Sequence, residues 1–81
     1  MQNKIINFVN NFIIEYKNST YDRCIIEHFR NELSKHFNIP CGHRFKFEEW
    51  FEIQDYAFEL LLINNKITKN EFEFYIKRFN F

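Results

Sequence analysis

Apolar residues recur along this chain at helical spacing in four separate stretches, and a strand-like alternation shows only briefly between the second and the third. In residues 2 to 17, Ile5, Ile6, Phe8, Val9, Phe12, Ile13 and Tyr16 share one face, with Asn7, Asn10, Asn11 and Lys17 opposite. Ile14 alone breaks the pattern and points to the polar side. Asn is a poor helix former, so packing rather than propensity has to hold this helix. After a break at Lys17 to Thr20, the pattern predicts a second helix over about 21 to 37, capped by Ser19 or Thr20. Its apolar face is Ile25, Ile26, Phe29, Leu33 and Phe37. His36 lies at the edge of that face, and Cys24, His28, Asn31 and Lys35 lie off it.

Asn38 to His43 holds the only Pro and the only Gly, so the chain turns there. Residues 43 to 47 alternate polar and apolar, which predicts a short extended lead into the third helix. That helix, residues 47 to 63, is the most apolar element. Phe47, Trp50, Phe51, Ala57, Phe58, Leu61 and Leu62 form a broad face that needs cover from several sides, so it is expected at the centre. Asn64 or Asn65 suits the left-handed residue that ends it. Thr68 with Glu71 fits a capping box, opening a fourth helix over 69 to 79 with Phe72, Tyr75, Ile76 and Phe79 inward. Phe74 falls outside that face, and Lys77 and Arg78 suit the dipole at its end. The fold class is therefore all-α, a compact four-helix domain spanning residues 1 to 81 with short loops.

Composition makes this feasible in so short a chain. The 81 residues are 46% apolar and 21% aromatic with twelve Phe, and large rings bury much area each. Eleven basic residues balance eleven acidic ones, which removes the usual electrostatic case for binding nucleic acid or an anionic membrane. The longest uninterrupted apolar run is Leu60 to Ile63, too short to span a bilayer. Asn7, Asn10 and Asn11 interrupt any signal-peptide core, so a cytoplasmic location with reduced thiols is expected.

Candidate chemistry is thin. Cys24, His28, His36, Cys41 and His43 are all the Cys and His residues. The first two lie near the start of the second helix and the last two beyond its end, so roughly 15–20 Å of helix separates them. No shared zinc site is expected, and no cofactor is implied. Cys24 and His28, one turn apart, resemble a nucleophile and base, but no third group or oxyanion loop accompanies them. No enzyme activity is expected.

The acids of the third helix are more informative. Glu48, Glu52, Asp55 and Glu59 recur at i, i+4, i+7 and i+11 on a stripe opposite the apolar face, and no base occurs between Phe47 and Asn65. Like charges one turn apart repel. The stripe is either a solvated face, or paired with Arg23, Arg30 or Lys35, or a strip that docks on the basic surface of a larger protein. Ile14, Tyr56, Ile63, Phe74 and Phe81 are left over from the helical faces, which points to a partner, to self-association as a homo-oligomer or to a wide core.

Residues 61 to 72, Leu-Leu-Ile-Asn-Asn-Lys-Ile-Thr-Lys-Asn-Glu-Phe, with Ile76-Lys77 after them, are similar to the helix-turn-helix of short C-terminal domains. Asn65 stands where those domains have Gly and Asn70 where they have the first Glu, and the capping box accounts for most of the likeness. The expected function is a small non-enzymatic protein-binding module. An inhibitor or adaptor fits, of the kind that phages and mobile elements direct at host nucleic-acid-binding or defence enzymes. The alternative is a nucleic-acid-binding helix-turn-helix regulator, for which the last helix offers Lys69, Lys77 and Arg78.

Overall fold

The computed structural model describes residues 2–38 and 47–76, without the side chains of residues 47 and 48. It contains α1 (Gln2–Glu15), α2 (Arg23–His36), α3 (Phe47–Ile63) and α4 (Lys69–Ile76), and no strand among the described residues. The all-α expectation holds. The extended lead at 43 to 47, Cys41, His43, Phe81 and the last turn expected at 77 to 79 fall outside the described residues.

In α1 the chain buries Ile5, Val9 and Phe12, one per turn, while Ile14 stays 69% exposed, as its position on the polar side implies. The second helix begins later than the hydroxyl residues suggested. Asp22, not Ser19 or Thr20, is its N-cap: the backbone is extended there, and its Oδ1 accepts a hydrogen bond from the Ile25 amide at 3.1 Å. Tyr21 and Ile26 flank that cap at the two positions where apolar residues staple a helix start, and both are buried. At the other end Asn38 takes φ 56° and its amide donates to the Lys35 carbonyl, closing α2 on a left-handed residue.

The α3–α4 turn follows the sequence pattern closely. Asn65 takes φ 59°, the Asn65 amide donates to the Leu62 carbonyl and the Lys66 amide to the Leu61 carbonyl, a Schellman ending. Asn64 contributes differently, its side-chain amide donating to the Leu60 carbonyl at 2.8 Å. The Thr68 amide then donates to Glu71 Oε1 at 2.8 Å and the Glu71 amide to Thr68 Oγ1 at 3.1 Å, the reciprocal pair of a capping box.

Helix α3 packs against all three other helices and is the hub of the fold. Its buried residues, among those whose side chains are described, are Ile53, Gln54, Ala57, Phe58 and Leu61. The core face is thus centred closer to Ile53 and Ala57 than the expected set implied, and Phe51 and Leu62 sit half-buried at its margin. Ile53 and Gln54 were missed because bulky rings at 47 and 51 draw the apparent face toward themselves. Tyr56, left over in the sequence pattern, packs against the core, whereas Ile63 and Phe74 are 66% and 73% exposed. Helix α4 has no fully buried residue; Phe72, Tyr75 and Ile76 lean on the core from outside.

Between α1 and α2 the contact is made by rings. Phe12 meets Phe29 edge-on at 5.0 Å, Phe8 meets Phe29 at 5.7 Å and His36 at 5.2 Å, and His28 meets Tyr16 at 5.7 Å.

Candidate functional site

Burial of Ile53, Ala57 and Leu61 turns the opposite side of α3 outward, and that side carries the acids. Glu52 and Glu59 are exposed and Asp55 is half-buried, while the Glu48 side chain lies outside the described residues. Glu52, Asp55 and Glu59 line one open groove of about 410 Å³, together with Gln2 and Ile5 of α1 and with Ile53 and Tyr56 of α3. Three of the four sequence-predicted residues therefore come together. The contribution of α1 was not foreseeable, because the pattern along one helix is silent about which neighbour crosses it. The groove has an apolar floor in Ile5, Ile53 and Tyr56 and an anionic rim.

Two of the cations considered as internal partners are engaged within α2 itself. Arg23 Nε pairs with Glu27 Oε1 at 3.4 Å and Lys35 Nζ with Glu32 Oε2 at 3.5 Å, both within the same helix. The Arg30 guanidinium donates to the Tyr75 carbonyl at 2.6 Å. Among the described residues, Glu52 and Glu59 make no ion pair. Exposed carboxylates such as Glu52 and Glu59, spaced along one helix side, create a local negative potential, and of the apolar residues beside them the half-buried Tyr56 still offers area to bury.

The Cys and His residues do not converge. Cys24 is an exposed free thiol. The His28 ring packs against Phe12 and Tyr16, and no hydrogen bond joins it to Cys24 among the described residues. His28 and His36 line a second groove of about 420 Å³ between α1 and α2, with Glu32 between them and Glu15 and Lys4 across from them. No cluster of three or more His, Cys, Asp or Glu among the described residues is arranged to hold a metal ion. No described helix is long and apolar enough to cross a membrane.

No protein-family model matches the chain, and no curated protein or solved structure is significantly similar to it.

Proposed function

We propose that this protein is a small non-enzymatic binding module that docks onto a larger protein through the acidic side of α3. The observation behind this reading is the groove beside α1, where Glu52, Asp55 and Glu59 stand over Ile5, Ile53 and Tyr56. A partner with Lys or Arg around an apolar residue matches that surface in both charge and shape. Such complementarity speeds and orients encounter more than it adds affinity. Proteins that bind nucleic acid carry basic surfaces of this kind, so an inhibitor or adaptor acting on a nucleic-acid-binding or defence enzyme, as phages and mobile elements encode, is the class that fits.

The test is affinity capture from the native host with the wild-type chain and with Glu52→Lys plus Asp55→Lys, after circular dichroism has shown the variant to be folded. The reading expects a specific partner that the variant no longer retains. Equal capture by both forms rules out the acidic face as the docking surface.

The alternative reading has one observation in its favour, the capped helix-turn-helix formed by α3 and α4. Against it, the described part of α4 carries Lys69 beside Glu71 and Glu73, and α3 presents its acids to solvent. A flat titration against mixed-sequence duplex DNA at low salt eliminates it.

A further inference from the structure

Among its described residues, Lys69–Ile76, α4 buries no side chain fully, and Phe72, Tyr75 and Ile76 only lean on the core, so its hold on the other helices is shallow. What holds it is local at its start and tertiary beyond. At its start the Thr68 and Glu71 caps fix the first turn, directly after the buried Ile67. Further along, Arg30 of α2 reaches across. The Arg30 guanidinium lies 5.2 Å from the Phe58 ring centre and 5.7 Å from that of Tyr75, and its Nη2 donates to the Tyr75 carbonyl. Tyr75 in turn stacks on Phe58 at 5.5 Å. One cation thus ties together α2, the hub helix and Tyr75 of α4.

We propose that α4 is a strap that opens as a unit of its own, without unfolding of the other three helices, and that Arg30 is its latch. Opening separates Tyr75 from Phe58 and from the Arg30 guanidinium, which uncovers an aromatic and cationic patch made of Phe58 on α3 and Arg30 on α2. The Schellman turn at Asn65 and the anchored Ile67 form the fixed end about which the strap moves. Phe74, 73% exposed on the outer side of α4, gives the element apolar side chains on both faces. This device does not depend on the acidic docking face, and either can fail without the other.

Amide hydrogen exchange on the full chain tests it. The amides of residues 72 to 76 are expected to exchange at least about tenfold faster than those of Val9, Phe29 and Leu61, because a sub-global opening lies below the global one in free energy. Arg30→Met is expected to raise the α4 rates by about another tenfold while leaving Val9 and Phe29 unchanged, the size of effect a partly buried cation on aromatic rings gives. Tyr75→Leu, which leaves Arg30 in place and removes the stacked ring, is expected to act selectively on α4 in the same way and serves if Arg30→Met does not fold. Two results overturn the proposal. One is α4 amides protected as strongly as the core. The other is a uniform rise across all four helices in both variants, which makes Arg30 and Tyr75 contributors to global stability only.

Discussion

Phe29 of α2 and Phe58 of α3 are both fully buried, and their rings meet at 5.3 Å with planes 65° apart. The edge of one ring approaches the face of the other, the arrangement that ring quadrupoles favour. Phe29 also meets Phe12 of α1, so this ring sits where three helices converge. Phe29→Ala is expected to cost about 3–5 kcal/mol, comparable with the whole stability of a small domain, which is about 5–15 kcal/mol. Urea titration of Phe29→Ala is expected to show a much lower midpoint than the wild-type chain, whereas Phe29→Leu, closer in volume, is expected to lose about 1.5 kcal/mol. A loss below 1 kcal/mol for the alanine variant is incompatible with the three-helix junction.

Tyr21 is buried, yet its hydroxyl has no hydrogen-bond partner among the described residues. Burial pushes its phenol above the ordinary tyrosine range. A group whose folded pKa is raised holds its proton more tightly in the native state. Stability is therefore full below about pH 10 and falls as pH rises past it. Tyr21→Phe is expected to be neutral or stabilising by about 1 kcal/mol at pH 7, since it removes a buried unsatisfied hydroxyl. It is also expected to flatten the alkaline loss, read as urea midpoints between pH 7 and pH 11. A destabilised Tyr21→Phe refutes this account. Tyr75 contributes in the same alkaline direction, pushed up by burial and then by Glu71 against the opposing charge of Arg30.

The reciprocal bonds between Thr68 and Glu71 make a coupled pair. Thr68→Ala and Glu71→Ala are each expected to cost about 1 kcal/mol, and the double variant less than their sum. Denaturant titrations of the four chains in the cycle measure the coupling. Strict additivity means that the two bonds act independently.

Repulsion along α3 gives the acids an intrinsic cost. Glu52→Gln and Glu59→Gln are each expected to stabilise the chain by about 0.3–0.5 kcal/mol at low ionic strength, because each lies within one turn of Asp55. The gain is expected to shrink at high salt, where exposed charges are screened. Destabilisation at low salt identifies an internal partner for these carboxylates and undermines the docking proposal at the same time.

Much of this architecture is written in local chemistry that a sequence displays. The Thr68 and Glu71 caps, the left-handed Asn65, the outward Ile14, Ile63 and Phe74, and the acids opposite the apolar face of α3 all follow from spacing within one element. What escaped depends on neighbours. Asp22 takes the cap beside a Tyr21 that is buried against Phe12 and under Lys66, contacts that spacing within one element does not display. Ile53 and Gln54 are covered because α3 is rotated toward Ile53 and Ala57, an angle set by three helices at once. His28 lies off the apolar face of α2 and yet its ring is held by Phe12 and Tyr16, since aromatic side chains of α1 reach beyond their own backbone. The acid stripe was visible as a pattern, but the floor of its groove comes partly from Gln2 and Ile5, at the other end of the sequence.

Trp50, the only tryptophan, sits half-buried in the first turns of the hub helix, while Tyr75 stacks on Phe58 about two turns further along. The molecule thereby carries an intrinsic optical probe on the element that every other helix touches. Its indole emission reports collapse of the hub itself, so a transition seen by exchange or by tyrosine absorbance but silent in tryptophan fluorescence is assigned to the periphery without any added label.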